Sequence, residues 1–173
     1  YRTGGSWGEY FAAHKSRLFA VDEAIPDEQA IVIDPLACSL HGVLRADLED
    51  VETLLIYGAG IIGLGAIASL RALGYQGRID VIGKHAFLRE IAVEYGADEY
   101  VILPKSNRDR AEAIAARTHA TVQHARFGNY MLSGGYDVTI DCIGSSRSTK
   151  EVLRWTRARG QVVMLGTLME SSL

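Results

Sequence analysis

The apolar run Leu54-Leu55-Ile56-Tyr57 ends directly on Gly58-Ala59-Gly60-Ile61-Ile62-Gly63, and an apolar helical pattern follows without a break. A G-x-G-x-x-G is weak alone. Between a strand and a helix it has a physical meaning. The first glycine permits a tight turn, and the second leaves room for a pyrophosphate against the backbone. The third lets the helix pack closely on the strand. The helix N-terminus, beginning at Ile61 and Ile62, then offers free N–H groups and a positive dipole end to an anion. The candidate nucleotide-binding residues are therefore Gly58, Gly60, Ile61, Ile62 and Gly63.

The rest of the chain repeats this pattern of short β-branched runs and helices. Strands are expected over 54–57, 78–83, 99–103, 136–142 and 161–165. Helices are expected over 61–73, from Leu88 to a stop at Gly96, and over 107–119. Another should follow a capping box at Ser148-Thr149-Lys150-Glu151 and end near Gly160. Residues 120–135 have no clear period and read as a helical extension and a loop. Strands separated by helices imply right-handed crossovers and a parallel sheet. The expected fold class is α/β, a Rossmann doubly wound parallel sheet of order 3-2-1-4-5 with the sixth strand missing. Residues 1–50 do not fit the alternation. Residues 7–13 read as an edge strand, 25–30 as a capped helix start, and 35–45 as a helix leading into the α/β unit.

Composition narrows the function classes. Lys+Arg is 18 and Asp+Glu 21, a net charge of −3, so no nucleic-acid partner is expected through a general basic surface. Glycine is 18 of 173 with only 3 prolines, which places the glycines at particular sites rather than in a linker. Cys38 and Cys142 cannot make a four-cysteine metal site and read as two thiols in a reducing cytoplasm. Residues 1–20 lack the apolar core of a signal peptide, and the cytoplasm is the expected location. The chain starts at Tyr1, so it is expected to be processed, trimmed or a fragment. Residues 53–70 carry no charge and imitate a membrane span, but their glycines break a continuous helix. No membrane contact is expected.

The end of the second strand bears on nucleotide choice. Folds that take NAD place an acid about 20 residues after the glycines, on the ribose 2′-OH. Here Gly83-Lys84-His85 stands at that point. Glycine leaves space and Lys84 supplies charge for a 2′-phosphate, with His85 beside it and Arg89 one helical turn on. NADP(H) is therefore expected over NAD(H), and Gly83→Asp is expected to reverse the preference. Asp80, mid-strand, is no substitute.

These residues, in this order, resemble the medium-chain dehydrogenase/reductase superfamily, in particular its zinc-containing alcohol and polyol dehydrogenases. Gly8-Glu9-Tyr10 is similar to the family's G-x-x-x-E-Y, and Pro26-Asp27-Glu28-Gln29-Ala30 to its P-x-x-x-A. Residues 34–41, D-P-L-A-C-S-L-H, resemble E-P-L-x-x-x-x-H, and Tyr95-Gly96-Ala97-Asp98 resembles x-G-A-D. Residues 137–144, D-V-T-I-D-C-I-G, and 160–166, G-Q-V-V-M-L-G, are similar to the family's fourth-strand and fifth-strand patterns. The resemblance implies cofactor contacts at Cys142, Ile143, Gly144, Leu165 and Gly166. It implies that residues 1–45 are the tail of a GroES-like catalytic domain with its connecting helix, and that 46–173 form a truncated dinucleotide-binding domain.

The implied chemistry is hydride transfer between a nicotinamide cofactor and a small-molecule alcohol or carbonyl substrate, assisted by zinc in the intact enzyme. The intact enzyme is expected to be a homo-oligomer. Asp34 falls at the family's third zinc-ligand position, although an Asp ahead of Pro35 also opens a helix in the ordinary way. The four-cysteine lobe, nearly all of the catalytic barrel and the sixth strand lie outside this sequence, so no tightly bound zinc and no alcohol turnover are expected of this chain. Two other readings stay open: a zinc-free quinone or enone reductase of the same superfamily, and a non-catalytic nucleotide-sensing module on the same fold. A methyltransferase would want an acid where Gly83 stands.

Overall fold

The computed structural model describes residues 8–124, 126 and 129–167. By contact density the chain divides into two compact units, Tyr1–Ile33 and Asp34–Leu173. Among its described residues the first contains a 3-10 turn, Lys15–Arg17, and the short helix α1, Asp27–Ala30. The edge strand expected over 7–13 is not formed at 8–13; Trp7 lies outside the described residues. Tyr10 and Phe11 stand exposed there, with none of the ladder pairing that makes an extended segment a strand.

Helix α2, Ile33–Val43, starts two residues before the expected helix, so Asp34 lies inside its first turn rather than ahead of it. The sheet unit then alternates strand and helix. β1 is Thr53–Tyr57, α3 Ile61–Ala72, β2 Arg78–Ile82, α4 Leu88–Glu94, β3 Glu99–Val101 and α5 Asn107–Thr118. After a hairpin of β4, Thr121–His124, and β5, Tyr130–Ser133, come β6, Tyr136–Asp141, α6, Ser146–Trp155, and β7, Thr156–Met164. The five-stranded sheet has the order β3-β2-β1-β6-β7 and every pair in it is parallel. Counting only its own strands along the chain, that is 3-2-1-4-5.

Alternation along β1 explains the two layers of helices. Leu54 and Ile56 point to one face, into a core with Ala66, Ile67 and Leu70 of α3 and Ala92 of α4. Leu55 and Tyr57 point to the other, into a core with Ile114 of α5 and Val152 and Trp155 of α6. The uncharged run 53–70 is thus a buried strand, a turn and a buried helix. No helix among the described residues is long and apolar enough to cross a membrane.

Three expectations are corrected. Residues 120–135 contain an antiparallel hairpin instead of a helical extension and loop, pairing Val122 with Leu132 and His124 with Tyr130. Helix α5 ends where His119 turns left-handed at φ 52°, so it cannot extend. The capping box also sits three residues earlier than expected. Ser145 caps the Ser148 N–H and Ser148 answers it, while Glu151 turns into the core. Finally α6 stops at Trp155 rather than near Gly160. The Thr156 hydroxyl caps the Val152 carbonyl at 2.6 Å and pairs with Thr139 across the sheet at 2.7 Å, which starts β7.

Asp137 ties β6 to its neighbours. It accepts from the Thr53 N–H and hydroxyl at 2.7 and 2.8 Å, from the Glu52 N–H, and from the Arg157 guanidinium. Burial alone would raise its pKa, but the Arg157 and Thr53 bonds outweigh burial and lower it. A carboxylate held below its unfolded value stabilises the fold above about pH 4, and that stability is lost as pH falls through the folded pKa. Asp137→Asn should therefore lower the thermal midpoint at neutral pH and flatten its decline between about pH 5 and pH 3. Parallel melting curves across that range check it.

Candidate cofactor cleft

A cleft of about 500 Å³ opens at the C-terminal ends of β1, β2 and β3. Its walls are Tyr57, Gly58, Ala59 and Gly60 after β1, and Ile82, Gly83, Lys84, His85 and Leu88 after β2. Ile102 and Leu103 close it beyond β3, Ile143 and Arg147 beyond β6, and Arg110 reaches it from α5. Crevices outside the carboxyl ends of parallel strands, where the strand order reverses, are where such sheets bind ligands. A shallower depression of about 560 Å³ near Leu48, Asp50 and Gly74 lies at the N-terminal ends of β1 and β2 and gathers no convergent cations.

The three glycines of the turn have distinct structural reasons. Gly58 adopts φ +113°, which other residues rarely reach. A Cβ on Gly63 would lie 1.8 Å from the Gly58 carbonyl oxygen, so only glycine lets α3 pack on the end of β1. A Cβ on Gly60 would meet nothing within 4 Å. Gly60 is also the N-cap of α3 and offers no side-chain cap, which leaves the first turn's N–H groups free of one. The open side of the turn therefore faces space at a positive helix end, and a pyrophosphate fits that cradle by charge and by room.

Not every expected residue reaches the cleft. Gly58, Gly60, Gly83, Lys84, His85 and Ile143 line it. Ile61, Ile62 and Gly63 form the first turn of α3. Cys142 packs against the core, where burial pushes its thiol up to about 12, so it is no nucleophile near neutral pH. Gly144 and Gly166 press backbone to backbone: a Cβ on either would come within 2.4 Å of the other residue. Leu165 packs on Gly42 of α2. Arg89 does not line the cleft, because its guanidinium lies over the Tyr100 ring, 5.4 Å from the centroid.

Gly83 has a structural reason beside the expected one. The direction a Cβ would take there is filled by Tyr100, whose hydroxyl would lie 1.8 Å away. An Asp at 83 must displace that ring before it can meet a ribose. Asp80 is buried against Arg78 at 2.8 Å and the Tyr136 hydroxyl at 2.6 Å, so it offers nothing to a ligand.

Arg147 escaped the sequence reading. It sits in the first turn of α6 and, like Lys84, is exposed and makes no ion pair among the described residues. The available signal was its place just past the end of β6, three residues beyond Gly144. Asp141 holds the loop between them, accepting from the Ile143 and Gly144 N–H groups and from the Ser148 hydroxyl. Arg110 is different again, because Glu151 neutralises it through two bonds of 2.7 Å. Among the described residues the cleft thus carries two cations without an ion pair, at Lys84 and Arg147.

For zinc the residues present do not fit. No three His, Cys, Asp or Glu side chains among the described residues are grouped to hold a metal ion, and Asp34 is exposed in the first turn of α2.

The sequence model described as zinc-binding dehydrogenase matches residues 62–173. The chain belongs to the zinc-binding dehydrogenase family. Its curated relatives in this group include an L-idonate 5-dehydrogenase of Vitis vinifera, 27% identical over 95% of this chain and 42% of the relative. An erythritol/L-threitol dehydrogenase of Mycolicibacterium smegmatis is 29% identical over 95% of this chain and 41% of the relative. The chain therefore spans about two-fifths of the length of these dehydrogenases. Among solved structures, a Sinorhizobium meliloti protein described as a zinc-binding dehydrogenase and bound to NADP is similar at TM-score 0.61 and 30% identity. The match covers 80% of this chain and 36% of that one. Galactitol-1-phosphate dehydrogenase of Escherichia coli shares the fold at TM-score 0.71 and 20% identity, over 98% of this chain and 44% of that one.

Proposed function

We propose that this chain is the NADP(H)-binding part of an oxidoreductase that moves hydride between the nicotinamide and a small alcohol or carbonyl substrate. The observation that carries the reading is the Gly60 cradle: open space at the N-terminus of α3, inside a cleft whose rim bears Lys84 and, among the described residues, no carboxylate. Residues 46–173 would form the cofactor domain, and 1–45 the end of a catalytic domain. Gly58, Gly60 and the first-turn N–H groups of Ile61, Ile62 and Gly63 would hold the pyrophosphate. Lys84, with His85 beside it, would meet a 2′-phosphate. Ile143 would wall the cleft toward the nicotinamide side, and Gly144 and Gly166 would let the loops after β6 and β7 approach each other. When bound, the nicotinamide accepts or supplies the hydride.

Zinc assistance would take ligands beyond those the described residues offer, with Asp34 contributing at most one. Polyol and alcohol substrates follow by analogy with the relatives; a cytoplasmic setting and a homo-oligomer are part of the same proposal and come from the sequence reading alone. The NADP-bound relative supports the choice of phosphate, as does the exposed, unpaired Lys84.

Lys84→Ala tests the choice. A charge-assisted contact to the 2′-phosphate is worth about 5- to 150-fold in affinity. The variant should bind NADPH more weakly by that factor and NADH nearly as before. Because the contact is exposed, the unmutated chain's preference should shrink as salt rises. Fluorescence titration with both reduced nucleotides at two ionic strengths reads both effects. An NADPH affinity unmoved by Lys84→Ala would remove Lys84 from the site.

A further inference from the structure

The turn after β2 is held from a strand the sequence motif does not include. Tyr100, in the middle of β3, is 4% exposed. Its hydroxyl donates to the His85 carbonyl at 2.7 Å. Its ring end fills the space beside Gly83: a Cβ there would lie 1.8 Å from the hydroxyl oxygen and 2.2 Å from the ring carbon that bears it. The guanidinium of Arg89 covers the ring face at 5.4 Å. The Gly83 N–H is itself fixed to the Val101 carbonyl at 3.0 Å, one residue along from Tyr100. One aromatic side chain therefore touches the residues on both sides of Lys84 and also anchors Arg89.

We infer that Tyr100 is the positioning residue of the nucleotide-selecting turn, fixing the backbone from which Lys84 projects and making glycine obligatory at 83, so that nucleotide choice belongs to the pair Gly83–Tyr100 rather than to residue 83 alone. Tyr100 is not among the residues that line the cleft; it acts through Gly83, His85 and Arg89. A lysine on a loose loop loses rotamer and backbone freedom on meeting a phosphate, and preorganisation reduces that loss. The inference rests on the cofactor reading above. It adds a coupling that a local view of the turn does not contain, since an acid placed at 83 competes first with the Tyr100 ring and only then with a phosphate.

The test uses the full 173-residue chain with NADPH and NADH as probes, thermal melting confirming that each variant is folded. Tyr100→Phe keeps the ring and removes the bond to His85. It should weaken NADPH by roughly 3- to 10-fold and leave NADH within about 2-fold, since a lost neutral hydrogen bond has that size. A role in stability alone would leave the ratio of the two affinities unchanged. Gly83→Asp should weaken both nucleotides. Gly83→Asp combined with Tyr100→Leu, which removes the atoms in the way, should recover NADH binding and favour NADH over NADPH. The inference is overturned if Tyr100→Phe leaves the ratio where it was, or if Gly83→Asp alone swaps the preference without loss. If the unmutated chain binds neither nucleotide, the cofactor reading fails and takes this inference with it. If that chain binds NADPH preferentially but Tyr100→Phe changes nothing, the inference alone fails.

Discussion

Arg110→Ala is expected to destabilise the chain by about 3–5 kcal/mol, the cost of leaving a buried carboxylate without its cation. Arg110 and Glu151 are 8% and 7% exposed, and their side chains meet through two bonds of 2.7 Å. The same guanidinium donates to the Tyr57 hydroxyl at 2.7 Å and to the Pro104 carbonyl at 3.0 Å, and lies 5.9 Å from the Trp155 ring centroid. Tyr57 in turn donates to Glu151 at 2.7 Å, and burial together with that carboxylate pushes its phenol up. One side chain thus joins α5, α6, β1 and the loop beyond β3. Urea unfolding should show the midpoint falling with the slope retained. The paired change Arg110→Met with Glu151→Leu should recover most of the loss, because it removes the buried charge along with its partner. A single variant within about 1 kcal/mol of the unmutated chain would mean that water already reaches the pair.

The second large effect separates two glycines three residues apart. Gly60→Val should leave the fold within about 1 kcal/mol, since its backbone is extended and a Cβ meets nothing. It should nevertheless weaken NADPH by roughly 100-fold or more, about 3 kcal/mol, because the added side chain takes the room reserved for the pyrophosphate. Gly63→Val should do the opposite first. Its Cβ collides with the Gly58 carbonyl oxygen, so the helix must move off the strand at a cost of about 1–3 kcal/mol. Thermal melts and nucleotide titrations of the two variants, side by side, check the contrast. Equal destabilisation by both substitutions would contradict it.

What the sequence made legible was local. The strand, glycine turn and helix at 53–72 could be read because the causes of two of its glycines are local, the positive φ of Gly58 and the contact of Gly63 with the Gly58 carbonyl. The buried β6 could be read because Val138-Thr139-Ile140 form a β-branched run at its centre. The hairpin at 121–133 could not: its strands are only four residues each and mostly exposed, so neither carries the apolar alternation that marks a strand. Glu151 looked like a capping partner because its spacing from Ser148 fits one. The cation that draws it inward, Arg110, is 41 residues away. Gly83 reads as space left for a phosphate, and the atoms a Cβ there would meet belong to Tyr100 on the neighbouring strand, which a linear reading does not bring near. Arg147 was missed because only the folded loop after β6 brings it to the cleft. Contacts set by the sheet's strand order are the part that a linear reading does not reach.

Calorimetric titration of the unmutated chain with NADPH and, in parallel, with NADH at low salt tests whether the cleft binds a nicotinamide nucleotide and which one it prefers. Trp155, buried and stacked 5.8 Å from Tyr57 on the cleft wall, gives an independent fluorescence signal for the same event. Saturable one-site binding of both nucleotides is expected, NADPH the tighter, with the gap closing as salt is added. No saturable binding of either nucleotide would contradict the cofactor cleft itself, and equal affinities at low salt would contradict the part assigned to Lys84.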